Sequence, residues 1–356
     1  MSASILPAAP PRELGYRMPA EWDRHEATWL AWPHEKSDWP GKFAPIPWVY
    51  AEIVRVLHAH ERVEILCHDD AARAGTAAIL GQHEVDLARV GLHVVPTDRV
   101  WTRDSGPTGV LDEHGALHWV AWRFTAWAKY DDHERDERVA AAIARLSGVA
   151  AVPATRDDGT ALVLEGGGIE TDGAGTMLVT EEWLLSGVQV RNPGMDRAAH
   201  ERAFARWLGI RRTIWLGEGC VGDDTHGHVD DIARFTDART VALAYEPDLR
   251  DENHARSADN LRRLELAGGL RIVKLPFPRA VMMDGVRLPA SYANFYVANG
   301  IVIVPTFNDE NDRAALAIIA GLFPGRRVVG IHAVDLVWGL GTLHCLTQQQ
   351  PRGGQS

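Results

Sequence analysis

The chain has 356 residues, 46% hydrophobic and 24% charged, enough apolar material for one large domain or two average ones. Its formal charge of −11 argues against nucleic acid or an anionic membrane as partner. No stretch approaches the roughly 20 apolar residues of a membrane-crossing helix, and residues 1–24 lack the basic start and apolar run of a secretion signal. Three widely spaced cysteines fit a reducing cytoplasm.

The first strand signal covers residues 28–33, followed by a helix over 48–60 and a strand over 63–67. Residues 108–124 then alternate across a turn at Asp112 to Gly115, before a helix over 133–146 and a strand over 149–152. The scheme returns in 165–184 around Asp172-Gly173, with a helix after Pro193 and a strand over 212–216. It returns in 229–245 around the turn 236–239, with a helix to about residue 266 and a strand over 270–275. A last hairpin over 292–307 turns at Asn299-Gly300. A helix over 309–322, capped by Asn308, and a strand over 328–331 complete it.

Hairpin, helix and strand in rotation predict an α/β fold. The four turns are spaced by about 60, 65 and 61 residues, a period that marks stacked or circular units. The opening elements imply a fifth unit. The strand-like run 343–348, which contains Cys345, is expected to complete it from the far end of the chain. Residues 12–350 read as a single catalytic domain, with 1–11 and 351–356 as flexible termini.

Asp104, Glu165 and Asp230 follow the same period, each expected at the start of the first hairpin strand of its unit. A ring of such units brings these positions together near its axis, beside His228 and Cys345. A carboxylate cluster next to a nucleophile needs a cation to neutralise it, and a planar guanidinium matches carboxylate forks best. The expected activity is a cysteine hydrolase acting on a guanidine. Trp101 and Trp127 are the candidates for stacking on a guanidinium or alkyl chain. Asp223 and Asp224, just ahead of the histidine loop, are candidates to receive a distal amine. Cys67, Cys220, His68, His93 and His344 read as packing residues, and Arg103 as a holder of its own loop. A competing class is a zinc-dependent amidohydrolase built on His226, His228 and Asp230.

In chain order, the motifs WTRDSGP, LEGGG, THGHVDDIARF, YANFY and LHCLTQQQP resemble those of the agmatine deiminase and bacterial peptidylarginine deiminase family, within the guanidine-modifying pentein group. The opening RMPAEWDRHEATWLAWP and the segment LVTEEWLL agree with it, so the resemblance covers nearly the whole chain. It implies a five-bladed α/β propeller of ββαβ-type units around a central site. It also implies a covalent thiouronium intermediate, a small cationic guanidine substrate, no cofactor or metal, and a homodimer. Carried across, Cys345 matches the nucleophile and His228 the general acid and base. Asp104 and Asp230 match the carboxylates that grip the guanidinium, Glu165 the one beside the histidine, and Asn294 a site-lining asparagine. The implied reaction converts agmatine to N-carbamoylputrescine and ammonia, a step toward putrescine; peptidylarginine or free arginine is the alternative substrate. Residues 339–344 and 124–130 depart from the family pattern, both where the substrate tail is expected.

Overall fold

The computed structural model describes residues 15–354. It is an α/β fold, and among the described residues it contains five sheets of three or four strands and one two-stranded ribbon. The first sheet holds β1 (His25–Ala31), β2 (Arg62–Cys67) and β3 (Val90–Val94), all parallel, with an antiparallel edge strand supplied by Gln348–Pro351. The second is β4 (Thr108–Leu111), β5 (Leu117–Ala121) and β6 (Ala151–Pro153). The third is β7 (Glu170–Thr171), β8 (Thr176–Thr180) and β9 (Arg212–Leu216), and the fourth β10 (Ala233–Asp237), β11 (Thr240–Ala244) and β12 (Arg271–Leu275). The ribbon β13 (Met282–Met283) and β14 (Val286–Arg287) precedes the fifth sheet, β15 (Tyr296–Ala298), β16 (Ile301–Thr306) and β17 (Arg327–His332). The strand Gln348–Pro351 is β18.

Sheets two to five share one pattern: an antiparallel hairpin whose second strand pairs in parallel with a third after a helical crossover. The hairpins are set locally by side-chain acceptors. Asp112 Oδ1 accepts from the amides of His114 and Ala116, Asp172 Oδ1 from Ala174 and Thr176, and Asp237 Oδ1 from Arg239. Such bonds pin a turn before any tertiary contact forms.

Four expectations need correction. The first unit does not end at Cys67: the helix Asp70–Gln82 and β3 extend its sheet to four strands. The pattern missed β3 because its far half is only partly buried, which blurs the apolar alternation. The last long helix begins at Asp312, behind Asn311, and Asn308 is left-handed (φ 55°). The Asp312 carboxylate there accepts from the amides of Phe307 and Asp309. Cys345 lies in a single helical turn, Leu343–Leu346, where the Thr347 hydroxyl bonds back to the Leu343 carbonyl. Only the residues after it form the strand that completes the first sheet. Residues 351–354 are tied rather than flexible: Pro351 pairs with His25, the Arg352 amide donates to Arg24 O, and the Gly354 amide to Gly115 O. Residues 1–11, expected to be flexible, lie outside the described residues.

Among the described residues no helix is long and apolar enough to cross a membrane. The core is rich in indoles, many with an acceptor: Trp29 donates to Gln350 Oε1, Trp39 to Leu336 O, Trp119 to Ser147 Oγ and Trp207 to Thr155 O. Arg234 is 0% exposed and is held by Glu21 and Glu170, each at 2.9 Å, and by the carbonyls of Ala293 and Phe295. A guanidinium so enclosed ties three sheets' leading segments together, because losing one partner would strand a buried charge.

Candidate active site

Four short helical turns stand directly ahead of first hairpin strands or of β18: Thr102–Ser105, Gly166–Gly168, Val229–Asp231 and Leu343–Leu346. The acids were expected on the strands themselves. Instead Asp104 and Asp230 lie within these turns, and Glu165 is the residue that opens one. Backbone bonds such as Gly106 N to Thr102 O (2.9 Å), Gly168 N to Glu165 O (3.1 Å) and Ile232 N to Val229 O (3.0 Å) close them. Turns of three or four residues are too short to leave a periodic signature.

The turns meet. The Gly167 amide donates to Asp104 Oδ1 at 2.9 Å, and the Trp127 indole donates to Asp104 Oδ2 at 2.9 Å. Gly167 must lack a side chain, since a Cβ there would stand 2.7 Å from His228 Nδ1, 2.9 Å from Asp104 Oδ1 and 3.1 Å from Asp230 Oδ2. Burial pushes the Asp104 carboxyl up to about 6, even with His228 pulling it down.

His228 lies between two acids, Nδ1 3.8 Å from Asp104 and Nε2 3.4 Å from Glu165, with the Trp183 ring edge-on at 5.4 Å. Burial alone would lower its pKa, but Asp104, Glu165 and Asp230 outweigh it and raise it to about 9. Glu165 also accepts from the Trp183 indole (2.7 Å) and the Arg191 Nε (3.1 Å). Despite full burial, Arg191 and His228 hold it down at about 2. Asp223 anchors the histidine loop by accepting from the amides of Gly227 (2.7 Å) and His228 (2.9 Å).

Asp230 Oδ2 lies 2.8 Å from His344 Nδ1 and 3.6 Å from Cys345 Sγ. Its Oδ1 is buried without a hydrogen-bond partner. Burial would raise Asp230, but His344 lowers it, so this orphan oxygen belongs to a carboxylate. The Asn294 amide donates to Cys345 Sγ (3.1 Å) and Asp231 Oδ1 (3.0 Å), while its Oδ1 accepts from Thr342 Oγ1 (2.7 Å) and the His344 amide (3.0 Å). Cys345 is 7% exposed. Burial, then Asp230, Asp231 and Asp104, push its thiol well above the usual range.

All five residues with predicted catalytic roles, Asp104, Glu165, His228, Asp230 and Cys345, therefore fall in one connected cluster, with Asn294 beside the sulfur. Trp101, Trp127, Tyr130 and Asp224 share the walls of a cavity of about 360 Å³ with Asp104 and Cys345. Trp127 reaches Asp104 from a segment in which Ala126, Trp127 and Ala128 are all left-handed (φ 43°, 59°, 52°). Asp224 faces this cavity but is already bonded to Lys129 and, at 2.8 Å, to the Tyr130 hydroxyl. His226 turns away, with Nε2 2.8 Å from Ser186 Oγ, so the His-Gly-His pair does not converge as a metal site would require.

Sequence reasoning missed four residues. Arg191 holds Glu165, and Asp231 holds Asn294. His344, taken for packing, bridges Asp230 to Glu21, its Nε2 2.7 Å from Glu21 Oε2. Glu21 also accepts from the Val297 amide and pairs with Arg103 and Arg234. Arg103 keeps the loop-holding part expected of it, donating to Gln349 Oε1 and His344 O.

A buried thiol beside carboxylate oxygens, with a positively charged imidazole across from it, can attack a cationic carbon and protonate what leaves. The agmatine deiminase of Pseudomonas aeruginosa (strain LESB58) is 34% identical over 378 residues, covering 97% of this chain and 98% of its own. The solved agmatine deiminase of Enterococcus faecalis superposes with a TM-score of 0.90 at 29% identity, over 98% of this chain and 100% of that one. A cysteine-to-serine agmatine deiminase of C. jejuni, solved with substrate bound, gives 0.86 at 27% identity, over 96% and 97%. Residues 17–351 match the profile of the Porphyromonas-type peptidyl-arginine deiminases, and the chain belongs to that family.

Proposed function

We propose that this protein hydrolyses agmatine to N-carbamoylputrescine and ammonia through a covalent adduct on Cys345. The five sheets are then the blades of a closed five-bladed α/β propeller that makes up one catalytic domain. One observation carries the assignment: Cys345 Sγ lies beside Asp230, whose other oxygen is buried and unpartnered, within the cluster that holds His228. A flat cation bearing N–H groups supplies what that oxygen lacks. The three free cysteines, all buried, fit a cytoplasmic protein.

In this mechanism Asp104 and Asp230 orient the guanidinium by paired hydrogen bonds, leaving its central carbon open to the sulfur. Such positioning contributes on the order of 7–11 kcal/mol in well-oriented systems. The thiolate adds to the carbon, and the C–N bond breaks as His228 passes its proton to the departing ammonia. Water, deprotonated by the same imidazole, attacks the S-linked carbon, and the C–S bond breaks to release the ureido product. Glu165, itself held by Arg191, keeps His228 in place and charged. Trp101 and Trp127 flank the alkyl chain, with Asp224 in the wall around its far end. Incubation with agmatine, arginine and an arginyl peptide, followed by assay of ammonia and ureido product, tests the assignment; turnover of the peptide alone would replace agmatine by peptidylarginine.

Two expectations follow from the electrostatics. Asp104 grips a cation only when ionised, so kcat/KM falls as pH drops through about 6. His228 donates only while protonated, so kcat/KM falls again as pH rises past about 9. The alkaline limb of a kcat/KM pH profile should lie near 9; an alkaline limb beginning near 6.5, the ordinary histidine value, would contradict it.

The second concerns the sulfur, which rests as a neutral thiol among carboxylates. A cation bound about 4 Å away is worth roughly 4 kcal/mol at an effective dielectric of 20, about three pKa units. The substrate thus ionises its own attacker. Ultraviolet thiolate absorbance should rise when a non-reacting guanidinium analogue binds and stay flat in Cys345→Ser. No rise in the wild type would exclude substrate-assisted ionisation.

A further inference from the structure

We infer that Asp38, rather than Asp224, receives the positively charged far end of the substrate, an alkylammonium on a short chain; the inference rests on the guanidine chemistry proposed above. Both acids line the cavity that contains Cys345 and Asp104. They differ in what their oxygens are doing. Asp224 has both engaged, Oδ1 by Lys129 and Oδ2 by the Tyr130 hydroxyl. A second cation arriving there would have to displace a lysine already in contact.

Asp38 is open by comparison. Its side chain is more buried than that of Asp224, 10% against 17% exposed, but it is less engaged: the cation it pairs with is Arg99, whose Nε lies 3.7 Å from Oδ1. Arg99 spends its other donors elsewhere: Nη1 on the Asp132 carbonyl and Nη2 on Asp132 Oδ1, both at 2.8 Å. Its guanidinium is seated over the Tyr130 ring, 4.5 Å from the centroid, so it is not free to swing toward Asp38. Asp38 Oδ2 is left buried with no hydrogen-bond partner. A buried carboxylate oxygen without a donor is costly. The strain registers as a carboxyl raised to about 7, by burial first, against the pull of Arg99.

An ammonium ion relieves that cost with N–H donors and a charge. A carboxylate tail, as in free arginine, would instead meet like charge at Asp38. The wall that holds this acid and the sulfur also includes Trp101, an apolar surface suited to methylenes. Sequence inspection passed over Asp38 because nothing in Lys36-Ser37-Asp38-Trp39 marks it apart from an exposed turn.

The test compares agmatine with n-pentylguanidine, which keeps the chain and replaces the amine by a methyl group. The wild type should prefer agmatine in kcat/KM. In Asp38→Asn the agmatine-to-pentylguanidine ratio should fall about 10- to 100-fold, mostly through the KM for agmatine, as expected for losing a charge-assisted hydrogen bond. Asp224→Asn should shift the ratio less. A ratio unchanged in Asp38→Asn, even with both activities lowered, overturns the inference by showing a merely structural residue. So does a larger shift in Asp224→Asn. A wild type inert toward both compounds overturns the agmatine assignment itself, and this inference with it.

Discussion

Cys345→Ser should leave agmatine bound and unconverted, with kcat reduced at least about 10⁴-fold. The substitution keeps the shape of a side chain that is 7% exposed and hydrogen-bonded to Asn294, so folding is not at risk. What changes is acidity. A thiol here already lies well above its usual pKa, and a hydroxyl starts far higher. The roughly three units lent by a bound cation cannot ionise it among Asp230, Asp231 and Asp104. In the proposed mechanism binding relies on Asp104 and Asp230, which remain. Calorimetry should therefore show agmatine affinity within a few-fold of the wild-type KM, while ammonia release is undetectable. Turnover above about one per cent would remove Cys345 as the nucleophile.

Gly167→Ala is the second large effect, and it reaches the chemistry without touching a reactive group. The glycine is not left-handed, so its backbone tolerates a side chain. The added methyl would land under 3 Å from both His228 Nδ1 and Asp104 Oδ1, a separation that real Cβ atoms do not show. Because these groups are fixed by Glu165, Trp127 and Asp223, relief means moving the imidazole or the acid off its mark. A misplacement of about 1 Å costs on the order of 100-fold, so kcat/KM should fall by about 10² to 10³ with little change in melting temperature. Retention of more than a tenth of the activity would mean that the three turns do not meet as tightly as described.

What could be read in advance was what is encoded locally. The hairpins of sheets two to four announce themselves by an Asp at the turn, whose side chain satisfies the turn's own amides, and that of sheet five by Asn299-Gly300. Their spacing then predicted that Asp104 and Asp230 converge, and the family motifs supplied roles for Cys345 and His228. Glu165, placed by the same spacing, joins them through His228, while the closest backbone approach between the turns is made two residues on, at Gly167. Its partner Arg191 was invisible, because an arginine 26 residues downstream carries no mark of the pairing. The same holds for Glu21, whose partners Arg103, Arg234 and His344 come from three distant segments. A buried ion pair is a property of the assembled chain, and a single sequence shows only its separate halves.

Cys345 is held in place just before β18, and β18 is held by β1: the Trp29 indole donates to Gln350 across 321 residues. Closing so long a loop is an entropic cost that is met only when the intervening sheets are already packed. A half-assembled chain accordingly carries a cysteine but no catalyst. On the proposed mechanism, activity switches on with the last seam of the fold, and the sulfur is never placed for attack apart from the acids and histidine that restrain it.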